Sequence, residues 1–229
     1  MLDDKLAGRS LNDVYSGWER YYQQTTRDTA WLDRPDSRVV ELVRRIKTTN
    51  SQSVLDLGCG DGRNAQPWLL AATNVVCVDV APTALARCIE NADRHAAIRP
   101  VALMADMTDL QLADSQFDVI QCIDALPHVA DPKRALEEMA RVARKGAEIL
   151  FNLYTPEDCA FGLGERIDAR SYIYKHTLFR FWDREDLNTL IPDAMRLCEV
   201  SRHHWEEAPH PPFRESQHEH DSLFIRCTL

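Results

Sequence analysis

Apolar positions along the chain follow two periods. Leu11, Val14, Tyr15, Trp18 and Tyr22 recur three and four residues apart and predict an amphipathic helix over residues 9–24. A link carrying Trp31 and Pro35 follows. Asp36 or Ser37 can cap a second helix with Val39, Val40, Val43 and Ile46 on its inner face. Short apolar runs then appear at 53–57, 75–78, 101–103, 117–123 and 148–153, each of strand length. Pro82 suits the first turn of an intervening helix that carries Leu85, Ala86 and Ile89. Asp131 and Pro132 form an N-cap and N1 pair for a helix with Leu136, Met139 and Val142 inward, and Gly146 is expected to stop it. Strands alternating with helices imply an α/β fold, with a parallel sheet covered on both faces and right-handed crossovers.

From Tyr154 onward the alternation weakens. Residues 154–182 hold Gly162, Gly164 and many aromatics, and read as an insertion or lid. Asp183 caps a short helix running to Leu190. Two further strands are expected at 195–200 and 222–228, separated by a histidine- and proline-rich stretch over 203–220. A length of 229 residues suits one domain. Its expected parts are a helical cap (1–35), a ligand-binding core (36–154), and a lid with the final strands (155–229).

The segment Val54-Leu55-Asp56-Leu57-Gly58-Cys59-Gly60-Asp61-Gly62 changes this picture most. A strand, a glycine turn and a helix start form a ligand crevice at the carboxyl edge of a parallel sheet. Glycine lets backbone approach the ligand without a Cβ clash. The spacing is Gly-x-Gly-x-Gly, not the Gly-x-Gly-x-x-Gly of dinucleotide binders. Asp56 also puts negative charge where a diphosphate would lie, which favours a cation such as a sulfonium or an amino group. Asp79 closes the next strand, where an acid meets a ribose diol in nucleoside-binding sheets. The plainer alternative is a tight turn and an exposed loop acid.

Net charge is −9, and the densest basic clusters, Arg44-Arg45 and Arg141 to Lys145, fall in predicted helices, so nucleic acid is not an expected partner. No apolar run approaches the roughly 20 residues that span a bilayer, and the N-terminus lacks a signal-peptide pattern. Seven cysteines at wide spacing, with no Cys-x-x-Cys, fit a reducing cytoplasm better than a disulfide framework.

These residues resemble class I S-adenosylmethionine-dependent methyltransferases over about 36–154. The resemblance implies a Rossmann-like, doubly wound, seven-stranded sheet, mostly parallel with an antiparallel last strand, under an N-terminal helical cap. It implies S-adenosyl-L-methionine as cofactor. The loop of Asp56, Gly58, Cys59, Gly60 and Gly62 would hold its methionine part. Asp79 would bind the ribose and Val80 would lie against the adenine. Met104-Ala105-Asp106-Met107 is similar to the segment whose acid, here Asp106, reaches the adenine amino group. Phe117 to Asp124 is similar to the fourth strand, whose end, with Ile123, faces the methyl donor. One departure is Lys145-Gly146-Ala147 where the family often has Pro-Gly-Gly. Tyr15 to Tyr22 with Trp31 to Pro35 resemble the N-terminal region of small-molecule and tellurite-resistance-type methyltransferases, in which a helix covers the cofactor. Trp18, Tyr22 and Arg34 would then lie over the site, with Arg34 near the cofactor carboxylate. Trp18 and Tyr22 could equally be core residues of a docking helix.

Methyl transfer is an in-line displacement in which the protein mainly aligns the reactants and excludes water. A general base is needed only for an acceptor that is protonated. Asp124, His128 and His176 are the candidates for base or anchor; the alternative for His128 is a cap on the loop before Asp131. Tyr172, Tyr174, Phe179, Phe181 and Trp182 suggest an acceptor wall or a lid core. His203, His204, His210, His218 and His220, with Glu206 and Asp221, match no zinc spacing, so no metal is expected and the segment should shape a pocket or stay solvated. The expected activity is methyl transfer to an oxygen, nitrogen or sulfur of a small molecule, by a monomer or homodimer. A nicotinamide-dependent oxidoreductase and a non-catalytic S-adenosylmethionine-binding protein are the alternatives.

Overall fold

A seven-stranded sheet organises the computed structural model, which describes residues 11–25, 34–46, 52–96, 98–211 and 214–229. Its strands are β1 (Ser53–Leu57), β2 (Asn74–Asp79), β3 (Val101–Met104), β4 (Phe117–Cys122), β5 (Ala143–Tyr154), β9 (Arg196–Glu207) and β10 (His218–Thr228), in the order β3-β2-β1-β4-β5-β10-β9. Strands β3, β2, β1, β4 and β5 pair in parallel. The last strand, β10, runs antiparallel to both its neighbours, as expected. A second sheet of three strands, β6 (Glu165–Arg166), β7 (Ser171–Tyr174) and β8 (Thr177–Arg180), lies in the segment expected to be an insertion or lid.

Side-chain alternation along the strands divides the core between the two faces. Leu55, Leu57, Ile120, Ile149 and Phe151 pack with Leu136 and Met139 of the helix Pro132–Val142. Val54, Cys77, Val119 and Phe224 point the other way, against Val39 and Leu42 of the helix Ser37–Ile46, Trp68 of the short helix Gln66–Leu70, and Cys88 of the helix Pro82–His95. We label the helices in chain order: α1 (Leu11–Gln24), α2 (Ser37–Ile46), α3 (Gln66–Leu70), α4 (Pro82–His95), α5 (Pro132–Val142) and α6 (Leu187–Leu190). At the start of α5, the Asp131 side chain accepts from the backbone N–H of Arg134 at 3.0 Å, the cap read from the sequence.

The C-terminal half of helix α1 is fixed to the first turns of α4. The Glu19 carboxylate accepts from the backbone N–H and the hydroxyl of Thr83, at 2.9 and 2.6 Å, which caps α4 from outside. Arg87 donates to the carbonyls of Tyr22 and Thr25 at the far end of α1. Gly17 lets α1 approach the β7–β8 turn, since a Cβ there would lie 2.4 Å from the carbonyl oxygen of His176.

Two expectations are corrected. Gly146 does not end α5; the helix stops at Val142, and Gly146 sits at φ +80° inside β5 where the register with β4 shifts. The stretch 203–220 is largely a strand pair, because His218 to Ser222 zip against His203 to Glu207. Within the three-stranded sheet, β7 and β8 form a hairpin with Lys175 and His176 at positive φ in its turn. Trp31 lies outside the described residues.

Candidate active site

The carboxyl ends of β1, β2 and β4 open into a cleft of about 850 Å³, measured to its mouth. Gly58 and Gly60 turn the chain away from β1 with φ of +66° and +56°. Neither tolerates a side chain: a Cβ on Gly58 would meet the Ala125 Cβ at 2.2 Å, and one on Gly60 would meet the Tyr22 hydroxyl at 2.4 Å. Gly62 has a different task. Its Cβ would strike the Cys88 Sγ at 2.6 Å, so this glycine admits α4 against the loop and does not line the cleft.

Asp79 ties the loop to the end of β2. One carboxylate oxygen accepts from the Gly60 N–H at 2.9 Å and the other from the Ala81 N–H at 2.9 Å. Burial pushes its carboxyl up to about 6, against these backbone donors. Asp56 lies below the loop, 2% exposed, and its Oδ2 accepts no hydrogen bond from the described residues. Burial pushes that carboxyl up to about 7. Gln121 opposes that rise, and the carboxylate lies behind the cleft lining, beneath the glycine cradle.

Asp124, just past β4, lies at φ +56°, a conformation uncommon outside glycine, asparagine and aspartate. Its N–H donates to Asn152 Oδ1 at 2.6 Å, and its Oδ1 accepts from Asn152 Nδ2 at 2.7 Å. Its Oδ2 pairs with Arg63 at 3.2 Å. Burial raises the carboxyl, and Arg63 and Asn152 oppose the rise. The Asp106 Oδ1 accepts from the backbone and hydroxyl of Thr108, which holds the carboxylate at the cleft wall.

His128 ends a 3₁₀ turn and is 6% exposed. Its Nδ1 lies 2.7 Å from the Leu178 carbonyl oxygen, so that nitrogen carries the proton and Nε2 keeps its lone pair. Burial pushes its pKa down to about 4, leaving the ring neutral above that. Trp18 and Phe179 meet the ring edge to face, with centroids at 4.8 and 4.7 Å. His128 and Trp18 also border a second, smaller cavity of about 270 Å³, together with Tyr154, Phe179, Arg214 and three further histidines.

Most predicted residues converge here. Trp18, Tyr22, Gly58, Cys59, Gly60, Asp79, Val80, Asp106, Met107, Ile123, Asp124 and His128 all line the main cleft, and Asp56 lies under its loop. Arg34 is exposed and away from the lining, and His176 is exposed at the lid turn. The sequence reading missed Asp61, Arg63 and Asn64, which follow the same glycines. Asn64 is anchored from behind, because Gln121 donates to its carbonyl at 2.9 Å while accepting from Trp68 Nε1 at 2.8 Å. The lining carries Asp61, Asp79, Asp106 and Asp124 against the one guanidinium of Arg63, a field that repels a diphosphate.

Residues 55–151 match the family model of the methyltransferase domain. The chain carries a class I methyltransferase domain. A thiol S-methyltransferase of Rattus norvegicus is 26% identical over 203 residues, which cover 86% of this chain and 75% of that protein. Among solved structures, a putative methyltransferase from Bacillus halodurans superposes with a TM-score of 0.66 at 17% identity, covering 84% of this chain and 99% of its own. The N-methyltransferase NodS from Bradyrhizobium japonicum, solved with S-adenosyl-L-homocysteine, gives 0.63 at 17% identity over 94% of this chain and 98% of its own. The methyl donor of this methyltransferase is S-adenosylmethionine, and the glycine cradle and the acids that line the cleft fit it. Among the described residues no helix is long and apolar enough to cross a membrane.

Proposed function

We propose that this methyltransferase acts on a small thiol or hydroxyl acceptor, with His128 receiving the acceptor's proton. The observation that carries this reading is the position of His128, in the wall of both cavities, with Nδ1 tied to Leu178 and Nε2 left as an acceptor. S-adenosylmethionine supplies an electrophilic methyl group on a sulfonium. Asp79 accepts the ribose hydroxyls, and Asp106 takes the adenine amino group. Asp56 and the glycine turn receive the amino end of the methionine part. Arg63, not Arg34, faces its carboxylate, since Arg63 lines the cleft and Arg34 does not. Trp18 and Tyr22 cover the site and keep water out.

A base held near pKa 4 also bears on the acceptor. A hydroxyl or thiol becomes strongly acidic as its bond to carbon forms, so even a weak base then takes its proton. An amine that is protonated at neutral pH has no free lone pair, and a ring of such low basicity does not deprotonate it. The rat relative, a thiol S-methyltransferase, agrees with this choice. The second cavity, walled by Trp18, Tyr154 and Phe179, offers an apolar entry to the same histidine.

The test is turnover of isotope-labelled S-adenosylmethionine across matched panels of small thiols, alcohols, phenols and amines. Methylated thiol or hydroxyl products that depend on His128 are expected. Products from amines alone would refute the assignment.

A further inference from the structure

The hairpin of β9 and β10 brings together side chains that the methyl-transfer reading does not use. The sheet register sets His218 directly opposite Glu207. The connecting loop folds His210 back, held by paired backbone hydrogen bonds with Arg214 at 2.9 and 3.3 Å. The Glu207 Oε2 lies 3.4 Å from His210 Nε2 and 3.3 Å from His218 Nε2, and the two Nε2 atoms are 3.2 Å apart. All three side chains are more than nine-tenths buried.

We propose that Glu207, His210 and His218 bind a divalent transition metal of the zinc type, with the free coordination position turned toward the second cavity. Three lines of geometry carry it. The triangle has edges of 3.2 to 3.4 Å. A tetrahedral centre with bonds of about 2.0–2.1 Å separates its ligand atoms by about 3.3–3.4 Å, so the triangle already has the size of one face. The His218 Nδ1 lies 3.0 Å from the Ser216 carbonyl oxygen, so Nδ1 carries the ring proton and donates it there, which leaves the Nε2 lone pair facing the triangle. The carboxylate ligand is itself braced: His220 reaches Glu207 Oε2 at 2.9 Å with Nε2 and Asp158 Oδ2 at 2.8 Å with Nδ1. Such outer partners orient the ligands of metal sites.

Two histidines and one carboxylate are a ligand set that leaves room for water or substrate on zinc or ferrous iron. His210 and His218 line the second cavity beside His128. A thiol or hydroxyl held at the free position would be made more acidic by the metal's charge, and His128 Nε2 in the same cavity would accept its proton. That last step rests on the proposed acceptor class; the metal site does not.

The experiment uses the full chain, stripped with a chelator and then titrated with Zn²⁺ by calorimetry and with Co²⁺ by absorption. One equivalent of each should bind. The Co²⁺ spectrum should show visible bands of a four- or five-coordinate centre without thiolate charge transfer. The double variant His210→Ala/His218→Ala should weaken Zn²⁺ binding by at least about 100-fold, and Glu207→Gln should weaken it less. Thiolate charge transfer, or unchanged affinity in the double variant, would place the metal elsewhere, for instance at the buried thiols of Cys59, Cys77 and Cys88, and would overturn the assignment. So would a wild-type chain that takes up no stoichiometric metal. S-adenosylhomocysteine titrated into the same samples reports on the fold and on the donor site separately. A protein that binds Zn²⁺ but not this ligand keeps the metal site and loses the donor reading.

Discussion

His128 and Leu178 are joined by a hydrogen bond of 2.7 Å from the imidazole Nδ1 to a backbone carbonyl on the lid strand β8. The bond fixes the tautomer of the histidine and couples it to the lid. His128→Ala is therefore expected to lower turnover by about 10²–10⁴-fold, the usual scale for a general base. The affinity for S-adenosylhomocysteine should change far less. Steady-state rates paired with calorimetry on the same variant make the comparison. An unaltered rate would leave His128 a structural residue.

Asp79 holds Gly60 and Ala81 through its two oxygens and still faces the cleft. Asp79→Ala should weaken S-adenosylhomocysteine binding by about 1–3 kcal/mol, the scale for loss of a charged hydrogen-bond partner. Isothermal titration reads this directly. Unchanged affinity would remove Asp79 from the ribose role.

Gly58→Ala tests the cradle. The added methyl group would lie 2.2 Å from the Ala125 Cβ, at a backbone φ of +66°. Loss of detectable ligand binding is expected, with a lower melting temperature. A variant that binds normally would show that the loop does not lie as described.

The donor site should also respond to pH. Burial raises the Asp56 and Asp79 carboxyls to about 7 and about 6. A raised carboxyl binds its proton more tightly in the folded protein than in the unfolded chain. Its stabilising share is therefore full at about pH 4 and below, and is lost as pH rises through about 6 to 7. Binding of a ligand with hydroxyl donors and a cationic amino group favours the ionised forms. Affinity for S-adenosylhomocysteine should thus tighten by at least about tenfold from pH 5 to pH 8. A flat profile would contradict the roles given to both acids.

Much of the donor site was legible because its residues sit at strand ends, where period-two patterns stop and glycines begin. Asp56 and Asp79 fall into place on that ground, whereas Asp106 and Ile123 rest on the family resemblance. Arg63 was not legible. Its direction depends on the turn that Gly62 makes against Cys88, a contact between distant segments. Exposed Arg34 drew the same role only by its place near the N-terminal aromatics. The histidine stretch misled for another reason. Strand β9 lies at the sheet edge, where polar residues face solvent, so its alternation of His204, Trp205 and Glu206 carries no hydrophobic signature. The lid hairpin lacks the Asn-Gly or Asp-Gly turn that would announce it, and uses Lys175 and His176 instead. The convergence of Glu207, His210 and His218 comes from strand register, which spacing in the chain does not reveal.

The account stands on a cleft that takes a positively charged nucleoside donor and refuses a diphosphate. Calorimetric titration of the folded chain with S-adenosylmethionine, S-adenosylhomocysteine and NAD tests it most directly. Saturable one-to-one binding of the first two, with no heat from NAD, is the predicted result. A protein that binds NAD and ignores both adenosyl ligands would contradict it.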